Sequence, residues 1–144
     1  MEYFSNSPEE TKKIAKELAE KMKIGDTVTL DGDLGTGKTA FVQGFAEGLG
    51  ITEYVNSPTF TIVNCYEGNI PLYHFDVYRI DDCDEMYGVG YDEYVGGDGI
   101  AVIEWADNIA PILPIPRYAV KIEKDTNNHD DFRKITINRI ETEE

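Results

Sequence analysis

Apolar positions recur along the chain in two periods, and the switches between them mark out the elements. Ser7-Pro8-Glu9-Glu10 carries the pattern of a capping box with proline at the first helical position. Behind it Ile14, Ala15, Leu18, Ala19 and Met22 form one apolar stripe at helical spacing, predicting a helix that ends near Gly25. Thr27 to Asp31 is a short, alternating, β-branched run and reads as a strand. From Thr39 the period lengthens again: Phe41, Val42, Phe45, Ala46 and Leu49 fall on one helical face, with Gly50 placed as a C-terminal cap. Val55 to Thr59 is a turn-rich connector. Phe60 to Tyr66 and Ile70 to Tyr78 are strand-like and joined by Glu67-Gly68-Asn69, so they predict a hairpin, and Pro71 places one of the pair at a sheet edge.

The second half is more punctuated. Arg79 to Gly99 is polar and dotted with glycine, with room for one or two short helices. Gly99 to Ile103 is a near-continuous apolar run of the kind a buried strand needs, and Ile109 to Pro116 is a proline-rich turn region. Tyr118 to Glu123 and Phe132 to Ile140 alternate and predict antiparallel strands around a Thr126 to Asp130 loop. Glu141 to Glu144 reads as a frayed tail. No internal repeat or linker interrupts the pattern. Strands alternating with helices, then a closing hairpin, predict one α/β domain over residues 1–144, with a mixed parallel and antiparallel sheet flanked by helices.

The junction between the first strand and the second helix carries chemistry. Residues Gly32-Asp33-Leu34-Gly35-Thr36-Gly37-Lys38-Thr39 match the G-x-x-x-x-G-K-[ST] phosphate-binding loop at every fixed position. Strand, glycine loop and helix are the setting that the motif requires. Glycines let the backbone wrap a phosphate so that successive N–H groups point inward, and the helix start adds its positive dipole end. Lys38 is expected to reach the β- and γ-phosphates, and the Thr39 hydroxyl to ligate Mg²⁺. A glycine turn that binds nothing would need no Lys-Thr after its last glycine.

Composition then narrows the partners. Thirteen Lys and Arg against 28 Asp and Glu leave a formal net charge of −15, and from Ala40 to Pro116 the only Lys or Arg is Arg79. Nucleic-acid affinity rests on cations that neutralise phosphates, so this chain is not expected to hold RNA or DNA stably by itself. The acidity serves solubility or offers a surface to a basic protein partner. No apolar run approaches a membrane span and no basic-then-apolar leader is present, which excludes a membrane role as an expectation. Cys65 and Cys83 have neither metal spacing nor a disulfide framework, which fits packing in a reducing cytoplasm.

A phosphate loop of this type needs a carboxylate at the end of a second apolar strand to hold Mg²⁺. Ile100-Ala-Val-Ile103 followed by Glu104 fits best, and Leu72-Tyr-His-Phe-Asp76 is the other candidate. Trp105, next in the chain, is either a stacking platform or an aromatic at the core edge. Arg79, near Asp76, is either a charge-stabilising group or its ion-pair partner. The chain has no Asn-Lys-x-Asp stretch and no Asp-x-x-Gly after the loop, which points to adenine rather than guanine. Four arginines in all are few for a kinase lid that clamps a second phosphorylated substrate. A nucleotide-dependent binding module and a small phosphotransferase stay open as alternatives to an ATP hydrolase.

Four motifs in order, Gly32 to Thr39, Ser57-Pro-Thr-Phe60, His74-Phe-Asp-Val-Tyr-Arg79 and Ile103-Glu-Trp105, resemble the bacterial TsaE (YjeE) family over nearly the whole chain. That resemblance implies a P-loop NTPase-like fold and an ATPase that works with TsaB and TsaD to form threonylcarbamoyladenosine beside the anticodon of tRNAs. It implies Thr39 and Glu104 as Mg²⁺ ligands, Asp76 as a required acid near the γ-phosphate, and Thr59 as a nucleotide-sensing position. Thr11 and Arg133 resemble positions that line the nucleotide. Ala106 departs from the family pattern, where proline is common after Glu-Trp, and touches none of this chemistry. With no second base and no arginine assured in cis, hydrolysis is expected to be slow alone and stimulated by the TsaB–TsaD complex.

Overall fold

The computed structural model describes residues 1–33, 35–56, 62–124 and 129–142. Among them seven strands share one sheet: β1 (Glu2–Ser5), β2 (Thr27–Asp31), β3 (Val63–Tyr66), β4 (Leu72–Asp76), β5 (Ile100–Glu104), β6 (Arg117–Lys124) and β7 (Arg133–Ile140), in the spatial order β1-β7-β6-β2-β5-β4-β3. The four central strands β6, β2, β5 and β4 are parallel. Antiparallel pairs flank them: β3 against β4 on one side, β7 against β6 and then β1 on the other. The mixed sheet expected from sequence is therefore present, with β3 as the edge strand of the predicted hairpin. Pro71 lies one residue before β4, where its carbonyl accepts from the Ile100 N–H at 2.9 Å.

Alternation along the strands sorts two cores. Val28, Leu30, Leu72, Ile100, Val102, Val120 and Ile122 face α1 (Pro8–Glu20) and α2 (Lys38–Gly48). Phe75, Ala101 and Ile103 face the other way, onto Met86, Ile109 and Tyr91 of the short helix α3 (Tyr91–Tyr94). The two long helices lie close together. A Cβ built on Gly44 would stand 2.3 Å from the Lys12 carbonyl oxygen, so only glycine permits this approach.

Three elements differ from the sequence reading. α1 ends at Glu20 rather than near Gly25, although Met22 still reaches the core. β1 was not expected; it is four residues long, and its pairing with β7 is a long-range contact that no local period announces. The Ile109 to Pro116 region begins inside a 3₁₀ segment, Ala106–Ile112, rather than being turn throughout. The expected start of the hairpin at Phe60, and most of the Thr126 to Asp130 loop, lie outside the described residues. Because the central strands are parallel, Asp31, Asp76 and Glu104 all emerge at one carboxyl edge, where open α/β sheets bind ligands.

Candidate active site

The glycine loop leaves β2 at Asp31 and enters α2 at Lys38. Gly35 and Gly37 take φ of 79° and 100°, a region that disfavours any side chain, so the motif's glycines are conformational requirements here. The Thr36 N–H and hydroxyl both donate to the Asp33 carbonyl, at 3.2 and 2.8 Å, closing the loop as a turn. No side chain among the described residues caps α2, whose N-cap is Gly37. Its first N–H groups thus remain available to an anion.

Arg133 braces this loop from β7. Its Nε donates to the Thr36 carbonyl at 2.8 Å and its Nη2 to that of Gly35 at 3.3 Å. Arg133 is the register partner of Ser5 in β1, and the Ser5 hydroxyl lies 2.8 Å from that of Thr11. Thr11 and Arg133, 122 positions apart in sequence, are linked in this way through Ser5 of β1, and of the two only Arg133 reaches the loop among the described contacts.

On the other side, Lys38 and Glu104 are 8% and 3% exposed, and Lys38 Nζ stands 3.8 Å from Glu104 Oε1. Charges this buried persist only with partners. The ammonium also lies 4.3 Å from the centre of the Trp105 ring. Trp105 has φ 62°, unusual for a residue with a side chain, and its ring tilts against Tyr78 at 4.9 Å. Of the two roles open for it, the aromatic is half-buried at the edge of the second core and forms a wall of the site. His74, fully buried, meets the second oxygen of Glu104, with Nε2 to Oε2 at 2.5 Å.

Asp76 is the register partner of Glu104 and accepts from the Tyr78 N–H at 3.0 Å. Burial pushes its pKa above the usual carboxylate value and the charge of Glu104 adds to this, while the Tyr78 N–H opposes it. Asp31 is raised as well, by burial and then by Asp107. Arg79 is exposed and, among the described residues, forms no ion pair, so the ion-pair role open for it is not realised.

A cleft of about 710 Å³ lies against this site, lined by Asp31, Thr36, Lys38, Trp105, Asp107 and Lys124 among others, a volume that admits a nucleotide; Asp76 and Glu104 stand outside its lining, Glu104 behind Lys38. Gly32 and Asp33 also line it, and exposed Thr39 follows Lys38 in α2. Leu34 and Thr59 lie outside the described residues. Hydroxyl and carboxylate oxygens are the donors that Mg²⁺ prefers. Among the described residues no cluster of three or more His, Cys, Asp or Glu could enclose a metal alone. Sequence reasoning missed the His74 contact, Asp107 and Lys124. The first had a signal, since His74 and Asp76 are two apart and share a strand face.

A parallel core that ends in this glycine turn, with a buried lysine against a strand-end carboxylate, places the chain among P-loop NTPase-like α/β domains. Comparison with known proteins narrows the class. A family model described as "Threonylcarbamoyl adenosine biosynthesis protein TsaE" matches residues 5–135, and the chain belongs to that family. The tRNA threonylcarbamoyladenosine biosynthesis protein TsaE of Bacillus subtilis is 52% identical over 135 residues, covering 93% of this chain and 82% of the relative. Its counterpart in Treponema pallidum is 41% identical over 122 residues, covering 85% and 89%. A crystal structure of YdiB from Bacillus subtilis superposes with a TM-score of 0.82 at 45% identity, covering 97% of this chain and 85% of that one.

Proposed function

We propose that this chain is a Mg²⁺-dependent ATPase that acts with TsaB and TsaD in the formation of threonylcarbamoyladenosine beside the anticodon of tRNAs. The observation that carries the reading is the buried Lys38–Glu104 pair, 3.8 Å apart at the uncapped start of α2, directly behind a glycine loop. Membership of the TsaE family supplies the pathway.

In this reading the loop amides from Gly32 to Gly37 and the Lys38 ammonium hold the phosphates. Thr39 and Glu104 hold Mg²⁺, which when bound neutralises charge on the β- and γ-phosphates. Asp76, its basicity raised by burial, orients a water and takes its proton as the water oxygen attacks the γ-phosphorus and the bond to ADP breaks. Arg133 keeps the loop in shape, Thr11 lies on the same side, and Thr59 senses the nucleotide. Trp105 excludes water from the Lys38 side. Work on tRNA places the chain in the cytoplasm, and its free Cys65 and Cys83 are compatible with a reducing compartment.

ATP labelled at the γ-phosphate tests the chemistry. Inorganic phosphate should be released with Mg²⁺ present, and Lys38→Ala and Glu104→Gln should each slow release by about 10²–10³-fold, the scale of losing one electrostatic stabiliser. Full activity in both variants would contradict the assignment, and label on an acceptor molecule would turn it toward phosphoryl transfer.

A further inference from the structure

We propose that His74 is a positioning residue for Glu104: its imidazole pins one carboxylate oxygen so that the other is held toward the cation and Lys38. The inference rests on the reading of Glu104 as a Mg²⁺ ligand given above.

The geometry divides the two oxygens between two neighbours. Oε2 lies 2.5 Å from His74 Nε2, and Oε1 faces Lys38 Nζ at 3.8 Å. His74 is the register partner of Val102, two residues before Glu104 on the same strand face, so the contact is a diagonal between adjacent parallel strands. Both side chains are almost wholly buried, at 1% and 3% exposure. His74 Nδ1 is also buried and has no hydrogen-bond partner among the described residues. The ring therefore has one polar anchor, and that anchor is Glu104.

A polar ring placed in a strand core for packing alone would be replaced at a gain by an apolar one. Held at Nε2, the Glu104 carboxylate is restrained about its last torsion. Its second oxygen then keeps its aim when Lys38 moves to meet a phosphate. Groups that orient a metal ligand in this way are worth about 10–100-fold in metal affinity.

Three variants separate positioning from packing. His74→Gln places an amide N–H close to where Nε2 stands, His74→Leu keeps the volume without a donor, and His74→Asn keeps polarity but falls short of Glu104. Mn²⁺, read by electron paramagnetic resonance, is titrated into each protein saturated with the β,γ-imido analogue of ATP. Glu104→Gln serves as the reference.

His74→Leu and His74→Asn should weaken Mn²⁺ binding about tenfold or more. His74→Gln should stay within about threefold of the parent protein, half a decade on a scale where tenfold is 1.4 kcal/mol. Affinity for the analogue without divalent cation should be unchanged in all three. His74→Asn carries the comparison if His74→Leu fails to fold. Parent-like Mn²⁺ affinity in His74→Leu and His74→Asn, with Glu104→Gln weakened, would overturn the positioning role alone. Equal losses in all three variants, or an equal loss of metal-free nucleotide binding, would reduce His74 to a structural residue. An unaffected Glu104→Gln would overturn the metal-ligand reading itself.

Discussion

Under the proposed function, Asp76 sets stability against chemistry in a single side chain. Burial raises its pKa above 3.8, with Glu104 adding to the effect. A carboxyl whose folded pKa exceeds its unfolded one holds its proton more tightly when folded. Its stabilising contribution is thus complete below about pH 3.8 and is lost as pH rises through the raised folded value. Asp76→Asn should then melt at a higher temperature than the parent at pH 7, with the gain shrinking toward pH 4, while ATP hydrolysis falls. Thermal denaturation across that range checks the sign; a variant less stable than the parent at pH 7 would contradict it. Asp31, raised by burial and Asp107, sits under the same rule. Much of the candidate site at this scale was legible in the sequence. Lys38 and Thr39 followed from a fixed spacing, and Glu104 and Asp76 from their places at strand ends. The bracing role of Arg133 was not, because its partners are carbonyls of Gly35 and Thr36, and backbone acceptors leave no mark on composition.

Among the elements, the contact between α1 and α2 sets how the glycine loop is carried. Gly44 faces the backbone of Lys12, and a Cβ there meets three of its backbone atoms within 2.7 Å. Alanine would gain about 1 kcal/mol in helix propensity. Overpacking against backbone that cannot yield costs about 1–3 kcal/mol, so the clash wins. Gly44→Ala should lower the melting temperature by several degrees. Gly88→Ala, where nothing lies within 4 Å of the added Cβ, should be neutral or stabilise by about 0.4–1 kcal/mol. Paired melting curves decide it, and equal shifts would mean the helix contact is looser than described. The elements themselves were readable where period and caps agreed. Ser7 does cap α1, accepting from the Glu10 N–H at 3.2 Å, but the Glu10 carboxylate reaches back to Asn6 rather than Ser7. A complete capping box stands instead at Asp82 and Glu85, where the sequence suggested only short helices in a polar stretch.

For the whole molecule, the decisive features are strand order and charge. Local patterning identified the buried run Ile100 to Ile103, yet nothing local says that it lies between β2 and β4 and so brings Glu104 beside Asp76. That arrangement is fixed by contacts distant in sequence, which is why candidate residues could be named from the sequence and their layout could not. The net charge of −15 argues against stable tRNA binding by this chain alone, and under the proposed function the tRNA would be held by a partner. Among the described residues, Arg133 is spent on backbone carbonyls, those of Gly35 and Thr36 in the loop and of Asp130 and Phe132 beside it, and Arg79 makes no ion pair. Completion of the site by a partner fits both facts. Multiple-turnover formation of threonylcarbamoyladenosine on tRNA by TsaB and TsaD, with and without this protein and ATP, tests the proposed function. Sustained modification should require both, and ATP hydrolysis by this chain should accelerate when TsaB and TsaD are added. Modification that continues over repeated turnovers when this protein is left out would rule that function out.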